Sequence, residues 1–403
     1  MTRREWIRNA AGAGALAAAG SESSWAAEAA KIKITGFEIY TAQVNTRAWV
    51  VFKVLTDAGV TGLGDATHNA SEPKLAASVA GELMELMRGR SPFEIERLRS
   101  AAIPKVFAAS PQEKRPNAVA LAGLEQCLWD IQGKALGVPC YQLFGGKLRD
   151  QTRNYANINR MTRGDERTPE GFKKNAQRAV DGGFDAFKLA PFDHMRREEP
   201  DAERYKRDSD LGIRMAQSVR EVIGADRDLM LDAHSRFSLD QARDAARRLE
   251  SLNLFWLEEV ARSTDILAAI NREAKMPTAG GESLFGVREF FPYLKAGAVD
   301  IIMPDMKFCG GMYELKKIAA MAEGSGVKVS PHGPASPIGN MAASHVCVTM
   351  PNFQILEFGY GEVPWRAECV EPAESLVGGR LKVLERPGIG YELNPRLWTQ
   401  FSG

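Results

Sequence analysis

The sequence carries no excess charge of either sign: 52 Lys and Arg stand against 51 Asp and Glu, a formal net charge of +1 over 403 residues. That balance gives no reason to bind nucleic acid or an anionic membrane surface. Cysteine is sparse and unpatterned. Cys127, Cys140, Cys309, Cys347 and Cys369 are scattered, odd in number and free of C-x-x-C spacing. They read as small core residues, not as a disulfide framework or a zinc site. No G-x-G-x-x-G fingerprint follows a first strand, which counts against an open doubly wound dinucleotide-binding sheet. The short apolar run Ala10 to Ala19 falls well below the ~20 residues needed to cross a bilayer. Internal repeats are lacking. The apolar content of 44% and charged content of 26% are ordinary for a soluble globular chain with room for more than one domain.

What is present begins with a leader. "MTRREWIRNAAGAGALAAAGSESSWAAEAA" has an Arg-Arg pair, then the apolar run, then small-residue sites near Ala26 to Ala30. The layout predicts a twin-arginine-like signal peptide over 1–30 and a periplasmic or exported protein, or a cytoplasmic one if the leader does not function. From Lys31, "KIKITGFEIYTA" and "RAWVVFKVLTDAGVTGLGDA" alternate like strands, and helical patterns follow from Pro73 to Met87 and from Asn117 to Leu136. Residues 31–145 thus read as a small α+β capping domain.

Beyond it the texture becomes short apolar runs separated by amphipathic stretches. "RNYANIN", "AFKLA", "DLMLDAH", "FWLEEV", "MPTAGGE", "VDIIMPD", "KVSPHG" and "FQILEF" are eight strands alternating with helices. Over roughly 200 residues, that is the size and count of a TIM-type (β/α) barrel, placed at 146–360. The segment 361–403 holds another short strand pair and is expected to pack back on the capping domain.

In such a barrel the C-terminal strand ends converge on one mouth. Here the second strand ends on Lys188, the third on Asp232 and His234, the fourth on Glu258 and the fifth on Glu282. The sixth ends on Asp305, the seventh on His332 and the eighth on Glu357. Seven consecutive ionisable strand ends carry a steep desolvation cost unless they pair or hold a metal. Asp232, Glu258 and Glu282 come from consecutive strands and would repel without a cation. An all-oxygen set suits a hard ion, Mg²⁺ above all. Within "LEEV" the ligand is Glu258 or Glu259, because alternation lets only one point inward. Asp305 beside His332 would fix the imidazole tautomer and raise its basicity, as a general base needs. Histidine is scarce, five in all. His234 shares the direction of Asp232, His345 lies in the helical run "IGNMAASHVCVTM", and His68 and His194 are loop residues.

These segments resemble the enolase superfamily, in particular its mandelate racemase-like branch and the acid-sugar dehydratases within it. The resemblance runs from about Lys31 to the C-terminus. It is carried by "LEQCLWDIQGKALGVPCYQLFGG", "GFDAFKLAPFD", "LDAHSRFS", "WLEEV", "GGESLFG", "VDIIMPDMKFCGG", "VSPHGPASPIG" and "ILEFGYGE". It implies an enolase-like modified barrel with a capping domain, and Mg²⁺ on Asp232, Glu258 and Glu282, selecting the first glutamate of the pair. Two departures matter. The branch's Lys-x-Lys at the second strand is here Lys188 followed by Ala190. The third strand reads "DAHSR", similar to galactonate and mannonate dehydratases, in which this histidine handles protons.

The resulting expectation is a hydro-lyase of carbohydrate catabolism that dehydrates an aldonic or related sugar acid. His332, poised by Asp305, takes the proton α to the carboxylate and gives an enediolate. Lys188 and a protonated Glu357 meet the substrate carboxylate, His234 protonates the departing 3-hydroxyl, and Arg236 orients a substrate group. Alternatives are an epimerase, racemase or cycloisomerase using the same enediolate, and a non-catalytic sugar-acid binding protein. The partner is a small-molecule sugar acid, with no nucleic acid, no membrane in the mature form, and a homo-oligomeric state suggested by the family.

Overall fold

Alternation in the first ninety residues builds a sheet buried on both faces. β1 (Ile34–Val44), β2 (Arg47–Thr56) and β3 (Gly62–Asp65) form an antiparallel meander. Along β2, Val50, Phe52 and Val54 pack into a core shared with the helices of this domain. Trp49 and Val51, one residue out of phase, join the core of the barrel. A period of two thus gives each face its own partner. The helices are α1 (Pro73–Met87), α2 (Ile95–Ala108) and α3 (Pro111–Leu136). α3 starts on Ser110, whose N–H donates to Glu113 at 3.2 Å, with Pro111 in its first turn, and it stops at left-handed Gly137. Glycine is required where β3 crosses α3. A Cβ on Gly62 or Gly64 would lie 2.0 Å from the carbonyl oxygen of Cys127 or Gly123. This computed structural model describes residues 31–45, 47–67 and 73–401. The leader, His68 and most of the loop "DATHNAS" lie outside them.

Eight parallel strands then close into a barrel: β4 (Gln151–Asn157), β5 (Ala186–Leu189), β6 (Asp228–Asp232), β7 (Trp256–Glu258), β8 (Thr278–Gly280), β9 (Ile301–Ile302), β10 (Lys328–Val329) and β11 (Leu356–Phe358). β11 pairs back onto β4, at Glu357 opposite Tyr155, and Val329 bridges Phe353 across the remaining seam. The eight apolar runs of the sequence are these eight strands. α-Helices follow the first seven. After β11, among the described residues, there is none. The helices are amphipathic and capped. Leu239–Leu249 begins on Ser238, whose hydroxyl accepts the Gln241 N–H, and buries Ala242, Ala245, Ala246 and Leu249 on one face.

Inside the barrel Tyr155, Ala186, Met230, Trp256, Ala279, Ile301, Met303 and Ile355 form a closed apolar plug. Two residues further along their strands stand Asn157, Lys188, Asp232, Glu258, Asp305 and Glu357. The same alternation that fills the barrel therefore lays a polar floor directly above the filling. The C-terminal segment divides rather than lying on the capping domain alone. The hairpin of β13 (Leu376–Val377) and β14 (Arg380–Lys382), preceded by the short strand β12 (Val370–Glu371), adds antiparallel to β4 of the barrel. The last strand, Thr399–Gln400, pairs with β1 of the cap. No helix among the described residues is long and apolar enough to cross a membrane.

Candidate active site

Carboxylates dominate the polar floor. Oxygens of Asp232, Glu258 and Glu282 all lie within 4.8 Å of one another, the first two buried and the third nearly so. Burial pushes the Glu258 carboxyl well above its ordinary range, and Asp232 and Glu282 push it further, while Lys188 opposes them. One Glu282 oxygen, Oε2, is buried with no hydrogen-bond donor; His332 Nε2 is 3.1 Å from it but outside hydrogen-bonding geometry. Crowded anions with an orphaned oxygen are what a hard divalent cation relieves, and every donor in the set is oxygen. The residues present fit Mg²⁺. Of the "LEEV" pair, Glu258 enters the cluster. Glu259 sits at φ +42°, turns away and accepts the Gly281 N–H at 3.3 Å.

Lys188 is the counter-ion of this set. Its Nζ lies 2.8 Å from Glu258, 3.6 Å from Glu357 and 3.8 Å from Asp232, with 1% of the side chain exposed. Burial disfavours the ammonium, yet Glu258 and Glu357 together hold its pKa well above the lysine range. Glu357 corrects an expectation from the sequence. It accepts the Gly333 N–H at 2.9 Å and the Asn157 amide, and it faces Lys188. Burial raises its pKa, but Lys188, His332 and these donors pull it to about 2. It is therefore a carboxylate and an acceptor, not the protonated donor anticipated.

The two histidines stand at different members of the triad, His332 at Glu282 and His234 at Asp232. His332 Nδ1 is 2.7 Å from Asp305 Oδ2, and Nε2 is turned toward Glu282 and Glu357. Against burial, Glu282, Glu357 and Asp305 raise its pKa to about 9. Lys307 donates through Nζ to the same Asp305 oxygen at 3.0 Å, and through its main-chain N–H to the other at 2.8 Å. Those cations hold Asp305 at about 2 in spite of burial. His234 reaches its place through an unusual turn. It and Ser235 take φ of +44° and +55°, which folds the chain back at the end of β6. Its N–H then donates to Asp232 Oδ1 at 2.8 Å, Nε2 lies 3.0 Å from Asp232 Oδ2, and Nδ1 makes a short contact with Asp193. Asp232 first, and Asp193 with it, raise the pKa to about 12.

Arg236 is half-buried beside this pair, 3.7 Å from Asp193, and its Nε is buried without an acceptor. His194 turns outward to the Asp208 carbonyl at 3.0 Å. His345 is fully buried, between the Tyr141 N–H and the Ile389 carbonyl, away from the mouth. Four contributors escape a reading of ionisable strand ends. Asp193 is a loop residue, Lys307 starts a helix, and Asn157 and Trp256, which donates to Glu258 Oε2 at 2.9 Å, are neutral strand residues. For the two charged ones, the only signal is a charge just past a strand end, in "APFDHM" and in "MPDMK".

Comparison with known proteins agrees with this arrangement. Residues 25–145 match the mandelate racemase/muconate lactonizing enzyme N-terminal domain, and residues 171–397 match the enolase C-terminal domain-like family. A D-xylonate dehydratase of Haloferax volcanii is 31% identical, covering 86% of this chain and 83% of its own length. A D-galactonate dehydratase of Xanthomonas campestris is 32% identical, covering 90% of this chain and 92% of its own. Among solved structures, a mandelate racemase/muconate lactonizing enzyme-like protein from Rubrobacter xylanophilus superposes with a TM-score of 0.82 at 29% identity, over 91% of this chain and 96% of its own. A capping sheet, a closed eight-stranded barrel and an acidic triad at its mouth, matched by family over both domains, place the chain in the enolase superfamily, in its mandelate racemase and muconate lactonizing enzyme branch.

Proposed function

We infer that the chain is a Mg²⁺-dependent hydro-lyase that dehydrates a sugar acid to a 2-keto-3-deoxy acid. The observation that carries this reading is that two histidines stand at one carboxylate triad, His332 Nε2 at 3.1 Å from Glu282 and His234 Nε2 at 3.0 Å from Asp232, so that two proton-transfer groups face one site. The dehydratase names of the relatives support it. Asp232, Glu258 and Glu282 would hold the ion. When bound, Mg²⁺ supplies positive charge where the substrate carboxylate gains electron density as the α-proton leaves.

The chain's own residues do the proton work. His332 Nε2, unoccupied by any hydrogen bond, takes the α-proton while Asp305 keeps the other ring nitrogen protonated and the ring in place. Glu282 and Glu357 are among the charges that hold this ring protonated, so neutralising Glu282 moves His332 toward the free-base form. At Asp232, protonated His234 gives a proton to the 3-hydroxyl, which leaves as water rather than hydroxide. Asp193 restrains the ring that donates it. Ala190 leaves the second strand without a second lysine base, which favours elimination over racemisation.

The test is turnover of an acid-sugar library with 2-keto-3-deoxy products as readout. His332→Ala is expected to abolish turnover, and retained activity in that variant refutes the assignment. Solvent deuterium in recovered substrate without loss of water identifies an epimerase instead. Tight binding with no turnover across the library identifies a binding protein. Export through the leader at 1–30 is part of the proposal and is tested by cell fractionation with Arg3→Lys and Arg4→Lys together.

A further inference from the structure

Beside the triad the mouth continues into a cavity of about 470 Å³ between the loops that follow β6, β7 and β8. His234 and Glu282 are part of its wall, so it opens directly onto the proton donor assigned to the leaving hydroxyl. Among neutral residues and Glu259, the rest of its lining includes three arginines. Arg115 comes from the cap helix α3, Arg197 from the loop after β5 and Arg262 from the loop after β7.

Among the described residues none of these three comes within salt-bridge distance of a carboxylate, although Glu198 and Glu259 act on Arg197 from further away. Arg115 donates to the Ser283 hydroxyl at 3.0 Å and lays its guanidinium 4.3 Å from the centre of the Phe308 ring. Arg197 donates only to main-chain carbonyls, Ser235 at 2.8 Å and His234 at 3.4 Å. Neutral acceptors of this kind orient an arginine and leave its charge uncompensated. The cations also crowd one another: after burial, Arg262 and Arg236 lower the pKa of Arg197, and the weaker opposing pull of Glu198 and Glu259 does not reverse the shift. Of the two carboxylates of the wall, Glu259 offsets that shift only in part. Glu282 faces His332, and Glu259 accepts the Gly281 N–H.

Three guanidiniums around one cavity, none held in a salt bridge among the described residues, favour an anion, and their fork geometry matches a carboxylate or a phosphate. We propose that this cavity receives a second anionic group, at the end of the substrate remote from the reacting carboxylate. The preferred substrate is then a dianionic sugar acid, a diacid or a terminally phosphorylated aldonate, in contrast to the singly charged acids named for the relatives. The proposal rests on the sugar-acid dehydratase reading above.

Two measurements test it. In the first, adipate and hexanoate, six-carbon acids with two carboxylates and one, are titrated calorimetrically into the Mg²⁺-loaded protein. Adipate is expected to bind at least tenfold more tightly at low salt, with the advantage shrinking as salt rises. Arg197→Gln combined with Arg262→Gln is expected to narrow the ratio to below threefold. Equal binding of the two acids by the wild-type protein, or a loss in the double variant that is the same for both, overturns the proposal. In the second, kcat/KM is compared for a six-carbon aldonate, the corresponding diacid and the aldonate 6-phosphate. The better of the last two, expected to exceed the aldonate tenfold through a lower KM, tells carboxylate from phosphate. An aldonate turned over as well as both overturns the subsite and leaves the dehydratase reading standing. An adipate preference with no dehydration of any sugar acid does the reverse.

Discussion

Replacing Lys188 by methionine, close in volume but uncharged, tests the electrostatic logic of the mouth. The ammonium is buried and faces three carboxylates at 2.8, 3.6 and 3.8 Å. At an effective dielectric constant near 20, each such pair is worth roughly 4–6 kcal/mol of gross attraction, most of it offset by desolvation. The net cost of leaving buried partners uncompensated is about 3–5 kcal/mol. A domain of a few hundred residues loses about 2–4 °C of Tm per kcal/mol, so the variant is expected to unfold on the order of 10 °C below wild type in EDTA. If Mg²⁺ occupies the same carboxylates it supplies the positive charge that the variant lacks, so it is expected to bind the variant more tightly and narrow that gap, by about 1.4 kcal/mol for each tenfold difference in Kd. Differential scanning calorimetry of both proteins, with and without the ion, reads all four values. A variant that unfolds within about 2 °C of wild type in EDTA, or a gap that Mg²⁺ widens, refutes Lys188 as the counter-ion of the triad.

Three further outcomes follow from the same geometry. Asp305→Asn removes one of the charges that raise His332 to about 9; since His332 must be neutral to accept a proton, the acidic limb of kcat/KM against pH is expected to move down by roughly one unit while the plateau falls about 10–100-fold. An unshifted limb would show that the pair does not act as a unit. His234→Asn is expected to lower the rate of water loss about 10²–10⁴-fold, with deuterium from D₂O still entering the α-position by NMR; loss of both signals together would contradict separate acid and base. His345 is buried as the neutral ring and its pKa is lowered by burial from 6.5 to about 4. Its contribution to stability is therefore present above pH 6.5 and is lost as pH falls toward 4, by about 3 kcal/mol in full. Urea midpoints of wild type and His345→Gln at pH 7 and 4.5 check this, the variant being the less pH-sensitive.

Strand ends were the most legible part of the molecule. Period-two alternation placed Lys188, Asp232, Glu258 and Glu357 at the ends of four strands, and the same period in the structure sets them above Ala186, Met230, Trp256 and Ile355. The family resemblance chose Glu258 over Glu259, which periodicity alone had left open. Protonation was not legible. The state of Glu357 depends on Lys188 and the Gly333 N–H, neighbours brought near from 169 and 24 residues away, and no local pattern encodes such encounters. Asp193 and the left-handed turn at His234 and Ser235 were hidden for a different reason: loops carry no repeat from which a side-chain direction can be read. The tail was half legible, its strands visible but not their choice of neighbours.

One buried acid at the end of β3 ties two parts of the molecule that would otherwise adapt independently. Asp65 accepts the Ser336 N–H at 2.8 Å and its hydroxyl at 2.6 Å. Ser336 stands four residues beyond His332 on the same loop, and it caps the helix Pro337–Cys347 that follows. The sheet that carries the cap and the loop that carries His332 thus share a fixed point. Loop residues of the cap can be exchanged without touching this contact, but a re-seated cap would pull on the loop that carries His332. Laboratory selection for new substrates should therefore leave Asp65 unchanged while the cap loops around it drift.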